Sequence, residues 1–140
     1  MSAFEKSVGI AVAAITLVVS AGAVVVSAQG PWVAPPEAKN VKNPVKGIGN
    51  AKKSVETNCV SCHGPGGKGD GPASAALPPP KPANWTSEAV QKQTDGEIFW
   101  VIAEGIDSSA DMLAYKKTLK EKEMWQIVVF IRSIGPKKTK

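Results

Sequence analysis

The residues best able to do chemistry in this 140-residue chain lie within five positions, Cys59-Val60-Ser61-Cys62-His63, which hold its only two cysteines and its only histidine. Cysteines three apart share one face of a helix, so both thiols can reach the two vinyl groups of one haem and close thioethers to it. The adjacent imidazole then turns onto the iron as the proximal ligand, and C-x-x-C-H is the spacing of covalent haem attachment. A structural zinc site takes four ligands, so Asp or Glu would have to complete the set here. A thioredoxin-like thiol pair needs a βαβ setting that the sequence lacks. A plain disulfide would leave His63 without a role. The chemistry read from these residues is that of one covalently bound haem c, with Cys59 and Cys62 as attachment points and His63 as a metal ligand.

The second axial ligand follows by elimination. With a single histidine, bis-His ligation is excluded, and methionine is the partner that raises a haem's reduction potential. The chain has three methionines. Met1 precedes an apolar segment, and Met124 sits in a helical pattern where methionine usually fills core. Met112 lies between two expected helices, in Ser109-Ala110-Asp111-Met112-Leu113-Ala114-Tyr115, where a loop can aim a thioether at iron. Met112 is therefore the favoured ligand, with Met124 and an open sixth position as alternatives.

Helices must position these groups. The first is expected from about Asn50, its N-cap, to Cys62. Thr94 and Glu97 have the spacing of a capping box, opening a helix that Gly105 can end. Thr118 and Glu121 repeat that spacing ahead of Met124, Ile127, Val128 and Ile131, which recur at i, i+3, i+4 and i+7 before Gly135-Pro136. No alternating strand pattern of useful length is present. The fold expected is all-α with long loops, which in a compact domain call for a ligand to complete the core.

From about residue 49 to 134 the chain resembles the class I c-type cytochromes, of the small bacterial monohaem kind. Cys59 to His63 matches their attachment motif. Gly64-Pro65-Gly66-Gly67-Lys68-Gly69-Asp70-Gly71-Pro72 is similar to the glycine-rich loop that often follows it. Thr94-Asp95-Gly96-Glu97-Ile98-Phe99-Trp100-Val101-Ile102 resembles the middle helix, Met112-Leu113-Ala114-Tyr115 the methionine-ligand segment, and Trp125 to Ile134 the last helix. Two departures stand out. Leu113 follows the methionine where the family often has proline, and Ala51 and Val55 replace a glycine and an aromatic on the first helix. The resemblance implies a class I cytochrome c-like haem domain, with Trp85, Trp100 and Tyr115 as candidate pocket residues. Trp100, Trp125, Phe99 and Phe130 fall on helical patterns and read as packing. Trp85, beyond the stiff Pro78-Pro79-Pro80-Lys81-Pro82 run, reads either as packing or as an indole donor to a haem propionate.

The N-terminus carries the second strong pattern. Residues 7–29 hold no charge, and Val8 to Ala28 is an apolar run of 21 residues. At about 1.5 Å per residue a helix of that length crosses a hydrocarbon core of about 30 Å. A secretory signal has a shorter apolar region, of roughly 7–15 residues, and a positive start, whereas here Lys6 is offset by Glu5; Val26-Ser27-Ala28 suits a signal peptidase, and a cleaved signal is the alternative. The expected division is a transmembrane anchor at 1–29, an extended proline-rich linker at 30–48, the haem domain at 49–135 and a basic tail at 136–140. Such a linker, at roughly 3 Å per residue, reaches about 50 Å. Lys39, Lys42 and Lys46 after the apolar run oppose the positive-inside rule. Haem attachment outside the bacterial cytoplasmic membrane, which the resemblance implies, outweighs that count and places the haem domain on the periplasmic side.

The net charge of +5 is concentrated at the ends. Residues 47–134 carry ten basic and ten acidic side chains, and the excess lies in the linker and in Lys137, Lys138 and Lys140. A neutral core behind a membrane segment excludes a nucleic-acid partner. Lys116, Lys117, Lys120 and Lys122 follow Met112 and form a patch suited to steering an acidic redox partner. The function expected is one-electron transfer without an organic substrate and without enzymatic bond making, as an anchored subunit of a respiratory or photosynthetic complex. The alternatives are a free-standing anchored shuttle, a haem sensor or enzyme with an open sixth site, and a structural anchor subunit.

Overall fold

The computed structural model describes residues 34–106 and 112–136. The expected membrane anchor and the lysines of the basic tail lie outside the described residues. Those described form α1 (Ala51–Asn58), α2 (Val60–His63), α3 (Glu88–Lys92), α4 (Asp95–Glu104) and α5 (Glu121–Ile134), with 3-10 turns at Pro36–Asn40 and Ser74–Ala76. Among them there is no strand, only a single antiparallel bridge between Ile106 and Met112. No helix among the described residues is long and apolar enough to cross a membrane.

The core is built around α5. Its repeating positions Met124, Ile127, Val128 and Ile131 are all 4% exposed or less, so the 3.6-residue periodicity produces the buried stripe it predicts. α1 crosses α5 through Ala51 and Val55, which face the same cluster four residues apart. Alanine at the crossing is small enough for the two backbones to approach, so the change from the family's glycine is absorbed. The middle helix opens as the sequence predicts. The Thr94 amide donates to Glu97 Oε2 at 2.6 Å, the Glu97 amide donates to Thr94 Oγ1 at 3.3 Å, and the helix stops at Gly105.

Three sequence expectations are corrected. The first helix is not continuous to Cys62. It breaks at Cys59 (φ −121°, ψ −31°), and the four-residue α2 starts beyond it. Asn50 holds the N-cap position but its side chain makes no capping bond. The last helix does not open on a Thr118–Glu121 box. Thr118 and Leu119 both donate their amides to Tyr115 O in a turn. The helix therefore starts later, with Glu123 Oε2 accepting from the Lys120 amide at 2.9 Å. Leu119 packs against the core, and that tertiary contact overrides the local capping pattern.

The third correction concerns the proline-rich stretch, which is docked where an extended linker was expected. Ala34 and Ala38 are each 4% exposed, and the turn at Pro36–Asn40 lies on the start of α4. Gly96 makes that contact feasible, because a Cβ there would sit 2.0 Å from Ala38 O. Lys39 pairs with Glu97 at 3.9 Å, and Asn43 Nδ2 donates to Trp125 O at 3.3 Å. A Gly96→Ala substitution is expected to force this strap away at a cost of about 1–3 kcal/mol. At about 1.4 kcal/mol per factor of ten, tryptic cleavage after Lys39 and Lys42 should accelerate roughly tenfold. An unchanged cleavage rate would show that the strap is not held at Gly96.

Candidate functional site

The attachment turn is held from both ends. His63 N and Cys62 N donate to Cys59 O at 2.8 and 3.2 Å, which winds the two cysteines and the histidine into one turn. Its carbonyls then need partners, because the last turn of a helix leaves them orphaned. The glycine-rich loop supplies them: Gly69 N donates to His63 O (2.9 Å), Gly71 N to Cys62 O (3.1 Å) and Ala73 N to Ser61 O (2.9 Å). Gly71 lies so close that a Cβ would be 2.4 Å from Ser61 O and 2.5 Å from Val60 O. The loop's glycines thus serve the turn by close backbone approach.

His63 is 7% exposed. Its Nδ1 lies 3.1 Å from Ala83 O, and a carbonyl only accepts, so Nδ1 carries the proton. Burial holds the imidazole below its ordinary pKa of 6.5, against a smaller opposing pull from the Ala83 carbonyl. The neutral tautomer that results leaves Nε2 as the nitrogen with a free lone pair, the form that ligates a metal. Trp85 stacks on the same ring, with centroids 4.5 Å apart and planes 24° apart.

His63, Cys59, Cys62, Met112, Trp85 and Tyr115 all line one cavity of about 350 Å³, walled mainly by apolar side chains from α4 and α5 such as Ile98, Ile102, Ile127 and Ile131. The Met112 segment is laid along the end of α4. Ile106 N donates to Met112 O (2.9 Å), Tyr115 N to Ile102 O (3.0 Å) and Lys116 N to Ala103 O (3.1 Å), which pairs two carbonyls at the helix end. Met124, the rival ligand, is buried in α5 and is not a cavity wall.

Two of the expected residues land elsewhere than anticipated. Trp100 is not among the cavity walls, because α4 turns Ile98, Val101 and Ile102 inward at i, i+3 and i+4 and carries position 100 off that face. Lys116 is exposed but ion-paired with Glu104, and Lys117, Lys120 and Lys122 are the other exposed cations after Met112. Lys117 lies between two cavity-lining residues, Tyr115 and Leu119, and Lys120 directly follows Leu119, so the patch borders the site.

Tyr115 donates its hydroxyl to Asn58 O at 2.7 Å. Burial, and then the two cysteines, raise its pKa above the ordinary value of 10, so the donor proton is retained. This bond joins the end of α1 to the Met112 segment across 57 residues. Tyr115→Phe leaves a helix-end carbonyl without its partner and is expected to cost about 1 kcal/mol. The midpoint of denaturant unfolding of the haem-loaded protein should fall with its slope unchanged; an unmoved midpoint would count against the bond.

Sequence reasoning missed the outer wall. Lys81 Nζ donates to Ser74 O (3.0 Å), Ala75 O (3.2 Å) and Leu77 O (2.5 Å), using all three ammonium protons. It ties the proline run back over the 3-10 turn, and Leu77, Pro80 and Pro82 become cavity walls. No local pattern announces this latch or the choice of Ala83 as the histidine's acceptor.

The donor set fits a covalent haem and fits its rivals poorly. Burial, and then the neighbouring Cys62, push the Cys59 thiol up to about 11, the direction that apolar surroundings give a thiol. Among the described residues no group of three or more His, Cys, Asp or Glu is gathered as a metal site. Two unpaired thiols, a neutral imidazole with Nε2 available and a thioether around one apolar cavity are what a covalently attached haem requires.

An all-helical domain with such a site has the architecture of a covalent-haem electron-transfer protein. Residues 48–135 match the cytochrome c family model, and the chain belongs to the cytochrome c family, whose members carry covalently bound haem c. Two solved structures share the fold. The KustC0563 c-type cytochrome is 22% identical, with a TM-score of 0.51 over 61% of this chain and 98% of that one. A chain of the Kuenenia stuttgartiensis reducing HAO-like protein complex Kustc0457/Kustc0458 is 26% identical, with a TM-score of 0.56 over 68% of this chain. The match spans 46% of that longer chain, less than half its length. No curated protein matches the sequence.

Proposed function

We propose that this cytochrome c is a membrane-anchored monohaem one-electron carrier, working as a subunit of a larger electron-transfer complex on the outer face of a bacterial cytoplasmic membrane. The observation that carries the reading is the convergence of Cys59, Cys62, His63 and Met112 on one apolar cavity. When bound, haem c supplies a ferrous–ferric couple. The chain's own residues do the rest. Cys59 and Cys62 would hold the group covalently, and His63, oriented by Ala83 O, and Met112 would ligate its iron. The aliphatic walls of α4 and α5 exclude water. Lys117, Lys120 and Lys122 offer positive charge to an acidic partner at the edge of the site, with a rate that falls as salt rises.

The docked strap favours a fixed subunit over a roaming shuttle. The apolar run ends at Ala28 and the packed strap begins at Ala34. At no more than about 3.6 Å per residue, the intervening residues span roughly 20 Å, well short of the reach of a free linker. Haem staining of a native gel of gently solubilised membranes tests the proposal. The expected result is a stained band of large mass containing this chain. A small stained band would instead indicate an independent shuttle, and stain confined to the soluble fraction would remove the anchor.

A further inference from the structure

We propose that Trp85 is a positioning residue for His63 that lowers the reduction potential of the domain, because its indole face lies on the imidazole and favours the more positive, oxidised state. The inference rests on the reading of His63 as an iron ligand.

An aromatic face attracts positive charge within about 6 Å of its centroid, and indole does so most strongly. Trp85 meets that condition, with its ring centroid 4.5 Å from that of His63 and the planes near parallel. An imidazole bound to ferric iron carries more positive charge than one bound to ferrous iron. The attraction is therefore larger in the oxidised state, and only such a difference between states shifts an equilibrium. The contact is also dry, since Trp85 is 6% exposed and His63 7%, which strengthens it relative to a surface pair.

The surroundings hold the indole in this pose. Phe130 meets Trp85 edge-on, at 6.4 Å and 88°. Trp85 N donates to Gly67 O at 2.7 Å, and Gln91 Nε2 links Trp85 O (2.7 Å) to Ile131 O of α5 (3.0 Å). Gly67 leaves the indole its space, because a Cβ there would lie 2.5 Å from Trp85 Cε3. Two residues upstream, Ala83 O accepts from the edge of the same imidazole. One short segment thus holds the ring by edge and by face.

The test is a potentiometric titration of the haem-loaded full chain carrying Trp85→Phe or Trp85→Leu, followed by absorbance. The expected order of midpoints is wild type below Trp85→Phe below Trp85→Leu. In Trp85→Leu the oxidised-to-reduced ratio at a fixed potential should fall roughly tenfold, which is 59 mV for a one-electron couple. A residue that merely fills space predicts the opposite sign, because its truncation admits water and stabilises the charged oxidised state. Unchanged or lowered midpoints in both variants would overturn the proposal. Should Trp85→Leu not accumulate, fluorinated tryptophan, which weakens the π face while keeping its shape, should raise the midpoint of the wild type and leave that of Trp85→Phe unmoved. Equal shifts in both would also overturn it. Failure of the underlying ligand assignment would show separately, as a wild-type spectrum in His63→Ala.

Discussion

A double variant, Cys59→Ala with Cys62→Ala, is expected to lose all covalent haem and, once the remaining haem is extracted, to lose the cooperative fold. The cavity that these cysteines line measures about 350 Å³. An unfilled core volume costs about 24 cal/mol per Å³, so leaving this one empty costs on the order of 8 kcal/mol. Water entering the cavity lowers that figure. It remains comparable with the 5–15 kcal/mol by which a whole domain is stable. The helices supply little independent support, since α2 has four residues and α3 has five, far fewer than an isolated helix needs. The checks are haem staining on a denaturing gel and far-UV circular dichroism through a thermal ramp. Native helicity with a sharp melt in the extracted variant would mean that protein side chains complete the core unaided.

The second large effect is expected from Met112→Ala. A methionine ligand raises a haem's potential, and axial ligands span about 0.8 V across haem proteins. Removing this one should lower the midpoint by on the order of 100 mV and change the reduced-state spectrum. Met124→Leu provides the contrast. Met124 is buried in α5, and a volume-conserving swap there should cost under about 1.5 kcal/mol and leave the potential unmoved. The reverse pattern would transfer the ligand role to Met124. An unaltered spectrum in both variants would return the domain to an open sixth position.

The two variants probe different parts of the same arrangement. Cys59 and Cys62 lie in one turn whose carbonyls are satisfied by the glycine-rich loop, so attachment is a local property of residues 59–73. Met112 reaches the cavity only because its segment pairs with the end of α4 at Ile102 and Ala103. The placement of Met112 at the cavity therefore depends on how the middle helix is set against the rest, as does the Tyr115 bond to Asn58.

What was legible in the sequence follows the same division. The attachment motif, the Thr94–Glu97 capping box and the apolar repeat of α5 each act within about one or two helical turns, so local order alone determines them. The all-helical architecture and the cofactor class were accordingly readable from residue types and spacing, and the cytochrome-like arrangement from the family resemblance. Where a local pattern competed with a distant contact, the contact prevailed. Leu119 packing moved the start of α5, and Gly96 against Ala38 turned a linker into a docked strap.

The partners of the site's central residues were beyond sequence reasoning altogether. The acceptor for His63 lies 20 residues away and Tyr115 bonds across 57. The sequence by itself determined which groups can hold a haem, because thioether spacing and helix caps are set by neighbours along the chain. Only the tertiary structure decided that Trp85 faces His63 and that Met112, not Met124, opens onto the cavity. Those choices depend on how separate helices cross and which side chains fill the space between them.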